Sequence, residues 1–158
     1  MNNEKIQEIT VTIGNQNIKS TLLNNNGSDL EKDDRDTFKF AFKENALSDI
    51  KYINIGDKVT LDFGNNAPDN ITIKDNILNS KGERIYTDKE IIDVPYANEN
   101  NKYSFTIDIH KASFLSSYYV ENKTDFRGFL VSAFYDKKEY DYAFVIKTDA
   151  AHPNTQTK

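Results

Sequence analysis

The chain has 158 residues, a formal net charge of −5 and no cysteine. That length suits one domain, and no Pro/Gly-rich linker separates two apolar regions. The missing cysteine excludes disulfides, thiolate metal sites and cysteine nucleophiles. Acidic and basic residues are spread along the whole chain, so no basic face announces binding to nucleic acid.

Hydrophobic residues make up 37% of the chain, so a core must lean on its 10 Phe and 9 Tyr together with Ile, Leu and Val. No apolar run approaches the roughly 20 residues that span a bilayer. The first residues, Met1-Asn2-Asn3-Glu4-Lys5, lack the apolar segment of a signal peptide. Two placements stay open: a cytoplasmic protein, or an exported one whose signal, and any membrane anchor, lie outside this sequence.

A period of two dominates, as half-buried strands require. Ile9, Val11 and Ile13 alternate with Thr10 and Thr12, Gly14 to Asn17 supplies a turn, and Ile18, Ser20 and Leu22 read as the returning arm of a hairpin. Residues 24–36 are rich in Asn and charge, and Leu30 is the only anchor for a helix there, so the segment reads as a mobile surface loop. Phe38, Phe40 and Phe42 alternate with Lys39 and Ala41 and predict a strand with an aromatic face. Further strands are expected over 52–55, 59–63, 71–73 and 84–87, with turns at Gly56-Asp57 and Ser80-Lys81-Gly82.

Ile91, Ile92 and Val94 predict an extended segment, with Pro95 marking an edge or an exit. Lys102 to Ile109 gives the cleanest alternation, Tyr103, Phe105, Ile107 and Ile109 facing one way. Phe129 to Tyr135 is apolar on both faces, as a central strand is. After a four-residue loop, Asp136 to Glu139, the chain returns through Tyr140 to Ile146. Irregular loops and unequal strands favour a sandwich over a barrel. The expectation is an all-β, immunoglobulin-like antiparallel β-sandwich of about nine strands over residues 1–149, followed by a fraying polar tail, 150–158.

Two stretches carry a resemblance. Asp36 to Phe40, continuing through Ile55-Gly56-Asp57-Lys58-Val59-Thr60-Leu61, resembles the opening strands of Gram-positive surface-adhesin domains. Arg127-Gly128-Phe129 through Ala143-Phe144-Val145-Ile146-Lys147-Thr148-Asp149 resembles the closing hairpin of uncharacterised Ig-like lipoprotein ectodomains of low-GC Gram-positive bacteria. Together they cover about half the chain. The resemblance implies a secreted or cell-surface domain and supplies no ligand. Some adhesin domains carry a Lys–Asn isopeptide bond assisted by an acid, but no local motif here picks out such a trio.

Candidate site residues are few. His110 falls on the polar side of its strand with Asp108 and is expected to face solvent, and His152 lies in the tail. With two histidines and no cysteine there is little material for a transition-metal site or a nucleophile–histidine pair, and Ser116-Ser117 sits in no nucleophile motif. Asp29, Glu31, Asp33, Asp34 and Asp36 lack the spacing of a calcium loop and read as a solvated charged segment. No catalytic residue, metal ligand or cofactor is therefore assigned. Tyr118 and Tyr119 point to opposite faces if extended, so one ring is free for recognition. Arg127 beside Gly128 can receive a carboxylate, from a ligand or from a local partner.

The leading expectation is a noncatalytic extracellular or cell-surface domain that mediates protein or surface interactions. A carbohydrate-binding module is the second reading and predicts an exposed row of Tyr. A small hydrolase built on two carboxylates is the third, and predicts a cleft with carboxyl groups of divergent pKa.

Overall fold

The computed structural model describes residues 9–24, 37–42, 50–64, 67–79, 81–83, 91–100, 102–110, 124–136 and 138–149. Among them are eleven strands: β1 (Thr10–Ile13), β2 (Gln16–Ile18), β3 (Thr21–Asn24), β4 (Lys51–Tyr52), β5 (Lys58–Asp62), β6 (Asn70–Leu78), β7 (Ile92–Asp93), β8 (Ala97–Glu99), β9 (Lys102–Thr106), β10 (Thr124–Tyr135) and β11 (Lys138–Asp149). The expected strand 84–87 and most of the loop 24–36 lie outside the described residues, as does the tail.

The strands form two sheets. One runs β2-β1-β5-β9-β8; the other runs β3-β11-β10-β6-β7, with β4 parallel to the far end of β11. The order β1-β5-β9-β8 facing β11-β10-β6-β7 reproduces the A-B-E-D and G-F-C-C′ arrangement of immunoglobulin sandwiches. The fold is therefore the expected immunoglobulin-like β-sandwich, with eleven strands rather than about nine. Two local features hid the extra ones. The returning arm of the first hairpin divides: β2 pairs with β1, whereas β3 crosses to pair with β11. β8 is exposed at every position and has no apolar alternation to betray it.

The core follows from the period-two pattern. Register pairs Val11 with Leu61 and Val59 with Phe105, turning alternate side chains of one sheet inward. Opposite them, Phe129 stacks on Phe144 (5.2 Å between ring centres) and tilts against Phe105 at 5.5 Å. Each such ring contributes about 1.5–3 kcal/mol by leaving water, so inward aromatics hold the two sheets together without a disulfide.

The second sheet buries part of its outer face as well. Leu78, Ala143 and Val145 lie under Phe38 and Ala41, and Phe42 meets the edge of Phe126 at 5.0 Å. Here the expected Phe38–Phe42 strand is corrected: Lys39–Phe42 is a single 3-10 turn, with Ala41 N–H donating to Phe38 C=O. The three rings are spent covering an apolar sheet face, and a tight turn concentrates them there where a strand would spread them. Gly128 is required beneath this cap, because a Cβ at that position would stand 2.7 Å from the Phe38 ring.

The last hairpin is also tighter than expected. Tyr135 pairs with Lys138 and Phe134 with Glu139, so two residues turn the chain instead of four. Charge at Lys138 and Glu139 suggested a loop, but both belong to the ladder, on a stretch that solvent reaches.

Candidate functional site

Charged side chains interrupt the apolar inner faces at one end of the sandwich. β6 reads Ile71, Ile73, Asp75, Ile77 along its inward face, and β10 reads Asp125, Arg127, Phe129, Val131. Register sets Asp75 opposite Phe129 and diagonal to Arg127, on the same face. The two meet in a bidentate pair: Arg127 Nε donates to Asp75 Oδ1 at 3.1 Å and Nη2 to Oδ2 at 2.5 Å. Their side chains are 2% and 6% exposed. The guanidinium carbon also lies 5.8 Å from the centre of the Phe129 ring, which adds a cation–π contact.

This ion pair leaves one donor group over. Arg127 Nη1 is buried and meets no hydrogen-bond acceptor among the described residues. A buried guanidinium nitrogen without an acceptor is costly and asks for an explanation. Thr148 Oγ1, on the neighbouring strand, is likewise buried without a partner.

His110 completes the layer. The expected solvent-facing position is corrected: the ring is 1% exposed, with Nε2 3.1 Å from the Asp75 carbonyl oxygen. A carbonyl only accepts, so Nε2 carries the proton. Alternation fails at His110 because the β9 ladder ends at Thr106, so the strand rhythm no longer fixes the side the residue takes. Burial holds the imidazole below its ordinary pKa; among the charges nearby, Asp75 opposes that shift and Arg127 adds to it.

A cavity of about 560 Å³ opens beside this layer, where the chain crosses from β7 to β8. Phe105 and Ile107 of the β9 segment form one wall, and Ile92, Val94 and Pro95 form the other. Phe129, Asp75 and Arg127, all buried, make the base. Lys58, Tyr96 and Asp108, all exposed, stand at the mouth. Tyr96 is pinned there, its hydroxyl donating to Ile71 C=O at 2.9 Å and its ring edge-on to Tyr103 at 5.3 Å.

Of the candidates drawn from sequence, Arg127 thus lies at the base of a cavity with its carboxylate partner supplied from within, by Asp75. Tyr118 and Tyr119 lie outside the described residues. Asp75 and the burial of His110 were missed. Asp75 left a readable signal, a lone charge on the apolar face of an alternating run. It escaped notice because the expected strand stopped at Ile73.

A second polar pair sits on the outer face of β11. Glu139 and Asp141 are two residues apart, hence on one side of the strand. Asp141 is 1% exposed and neither of its oxygens meets a donor of good geometry. Burial, and after it the adjacent Asp141 carboxylate, push the Glu139 carboxyl up to about 7. Among the described residues no three His, Asp or Glu side chains cluster as metal ligands, and no helix is long and apolar enough to cross a membrane.

No family model matches the sequence, and no curated protein or solved structure matches it.

Proposed function

We propose that the chain is a noncatalytic recognition domain, displayed outside the cell or on its surface, whose ligand seats in the cavity beside the β7–β8 crossing. The observation that carries this reading is an apolar gap between the sheets with a buried, incompletely bonded guanidinium at its base. Concave, mainly apolar sites with a few convergent polar groups are the usual form of a binding pocket. The polar groups present favour holding over reacting. Arg127 and Asp75 neutralise each other, and His110 commits Nε2 to a backbone carbonyl. The surface placement rests on the resemblance to adhesin and lipoprotein domains, since a fold by itself carries no function.

The competing readings have less to work with. The two exposed tyrosines among the described residues, Tyr52 and Tyr96, stand at opposite margins of the sandwich and form no row for a sugar. The carboxyl group with an upward shift, that of Glu139, lies on a sheet face away from the cavity.

The test is resonance mapping on the isotope-labelled chain during titration with extracellular-matrix proteins and cell-wall glycans. Shifts are expected along 92–97 and 105–109, and Ala97→Trp, which fills the mouth, should abolish them. Binding that leaves those residues untouched, or survives the substitution, defeats the proposal. Protease treatment of intact source cells tests the placement separately: a protein that resists until the cells are lysed is not on the surface.

A further inference from the structure

We infer that what this cavity recognises is an extended segment of a partner protein, which adds a short parallel strand to the open edge of β9 and lays one apolar side chain on the cavity rim. This rests on the recognition reading above and names the chemistry of the partner.

Three observations lead there. First, the edge. β8 pairs with β9 only as far as Ala97 opposite Ser104. Beyond Ala97, Pro95 has no N–H to offer, and Val94 N–H already donates to Ile73 C=O in the other sheet. The β9 segment continues without that neighbour. On its other side, Ile107 N–H donates to Asp57 C=O at 2.9 Å and Ile107 C=O accepts from Gly56 N–H at 2.8 Å. Among the described residues no peptide bond is cis. The two peptide planes flanking Ile107 therefore turn Thr106 C=O and Asp108 N–H the opposite way, towards the side that β8 has left. Neither group meets a backbone partner there among the described residues. An acceptor and a donor on either side of one residue are what a parallel strand bonds with the N–H and C=O of a single residue. Open edge groups of this kind are a template for an added strand, and a sugar ring offers no matching pair.

Second, reach. The base of the cavity is closed, with Ile107 and Phe129 each 1% exposed. Its rim is open: Ile92, Val94 and Ile109 are half-buried and Pro95 is exposed. A partner residue opposite Ile107 turns its side chain towards that rim, while the residues before and after it turn outward. Third, charge. Register sets Lys58 beside Thr106. Lys58 and Asp108 are exposed and neither joins an ion pair among the described residues. The partner residue opposite Thr106 is therefore favoured as acidic, within reach of Lys58, and the one opposite Asp108 as basic. In a parallel strand the segment reads acidic, apolar, basic from N- to C-terminus.

The experiment uses the full 158-residue chain, isotope-labelled, and three probes: the end-capped peptide Thr-Thr-Glu-Val-Lys-Thr-Thr, the same peptide N-methylated at Val, and N-acetylglucosamine oligomers. The unmodified peptide is expected to move the Asp108 amide proton downfield, as a new acceptor does, and to shift amides along 92–97. N-methylation removes the donor to Thr106 C=O without touching the protein, and should weaken binding at least about tenfold. Lys58→Glu, at an exposed position, should weaken the peptide about fivefold, and a peptide with Lys in place of its Glu should recover the loss. Equal binding of the two Val peptides overturns the added strand. Binding indifferent to Lys58→Glu overturns the charge pattern. If the peptide leaves 92–97 and 105–109 unmoved while the sugar oligomers shift them, the extended segment is overturned and the recognition cavity stands. If peptide, glycans and matrix proteins all leave those residues unmoved, this inference and the recognition reading fall together.

Discussion

Removing one member of the Arg127–Asp75 pair should be far more damaging than removing both. At contacts of 3.1 and 2.5 Å, an effective dielectric near 20 gives an attraction of about 5 kcal/mol, and desolvating the two ions consumes most of it. Arg127→Met alone leaves a carboxylate buried without its partner, and Asp75→Leu alone leaves a guanidinium so. Each should cost about 3–5 kcal/mol, a large share of the roughly 5–15 kcal/mol that holds a domain folded. The double variant restores an apolar layer beside Phe129 and should lie within about 1 kcal/mol of the native chain, or above it. With no tryptophan in the sequence, far-UV circular dichroism in a urea series is the assay, with m-values checked for constancy. If Arg127→Met costs under about 1 kcal/mol, the pair is screened by water and is not the buried pair its side-chain exposures imply. If the double variant loses as much as the two single losses added together, the residues act independently and the reasoning fails.

Gly128→Ala should cost about 1–3 kcal/mol through collision with Phe38, and should cost little more once Phe38→Ala has emptied the space; equal costs in both backgrounds would place the clash elsewhere. His110 has a folded pKa below its unfolded one, so the unfolded chain binds more protons just below pH 6.5, and stability should fall as pH drops from there towards the folded value. His110→Gln should remove that slope in urea midpoints. Glu139 runs the other way: its folded carboxyl, near 7, binds more protons than the unfolded one between about pH 4.5 and 7, so its contribution is present in acid and lost as pH rises through 7. Glu139→Gln should therefore raise the urea midpoint at pH 8 relative to the native chain and leave the His110 slope visible by itself; an unchanged midpoint at pH 8 would mean that Glu139 titrates normally.

Alternation made much of the sandwich legible. Val11/Ile13, Val59/Leu61, Tyr103/Phe105 and Phe129/Val131 each announce a strand with one face in the core, because successive side chains of a strand point to opposite sides. The Gly56-Asp57 and Gly82 turns were equally plain, both glycines adopting positive φ. Where the expectation failed, a nonlocal partner overrode the local pattern. Phe38 to Phe42 alternates like a strand, yet the uncovered face of β10 and β11 recruits its rings as a cap. His110 follows the strand rhythm by count, yet the end of the β9 ladder releases it into the interior.

The candidate site divides along the same line. The residues by themselves determined a cysteine-free β-sandwich with alternating inner faces, and they marked Arg127 as a residue able to meet a carboxylate. Which carboxylate it meets was settled only when β6 and β10 came into register, bringing together residues 52 apart in sequence. The cavity, too, exists only in three dimensions, formed where the chain leaves β7 for β8 and the two sheets part. Periodicity records which face of a strand a side chain takes. Partner, burial and unmet hydrogen bonds depend on contacts between distant strands, and those are set by packing.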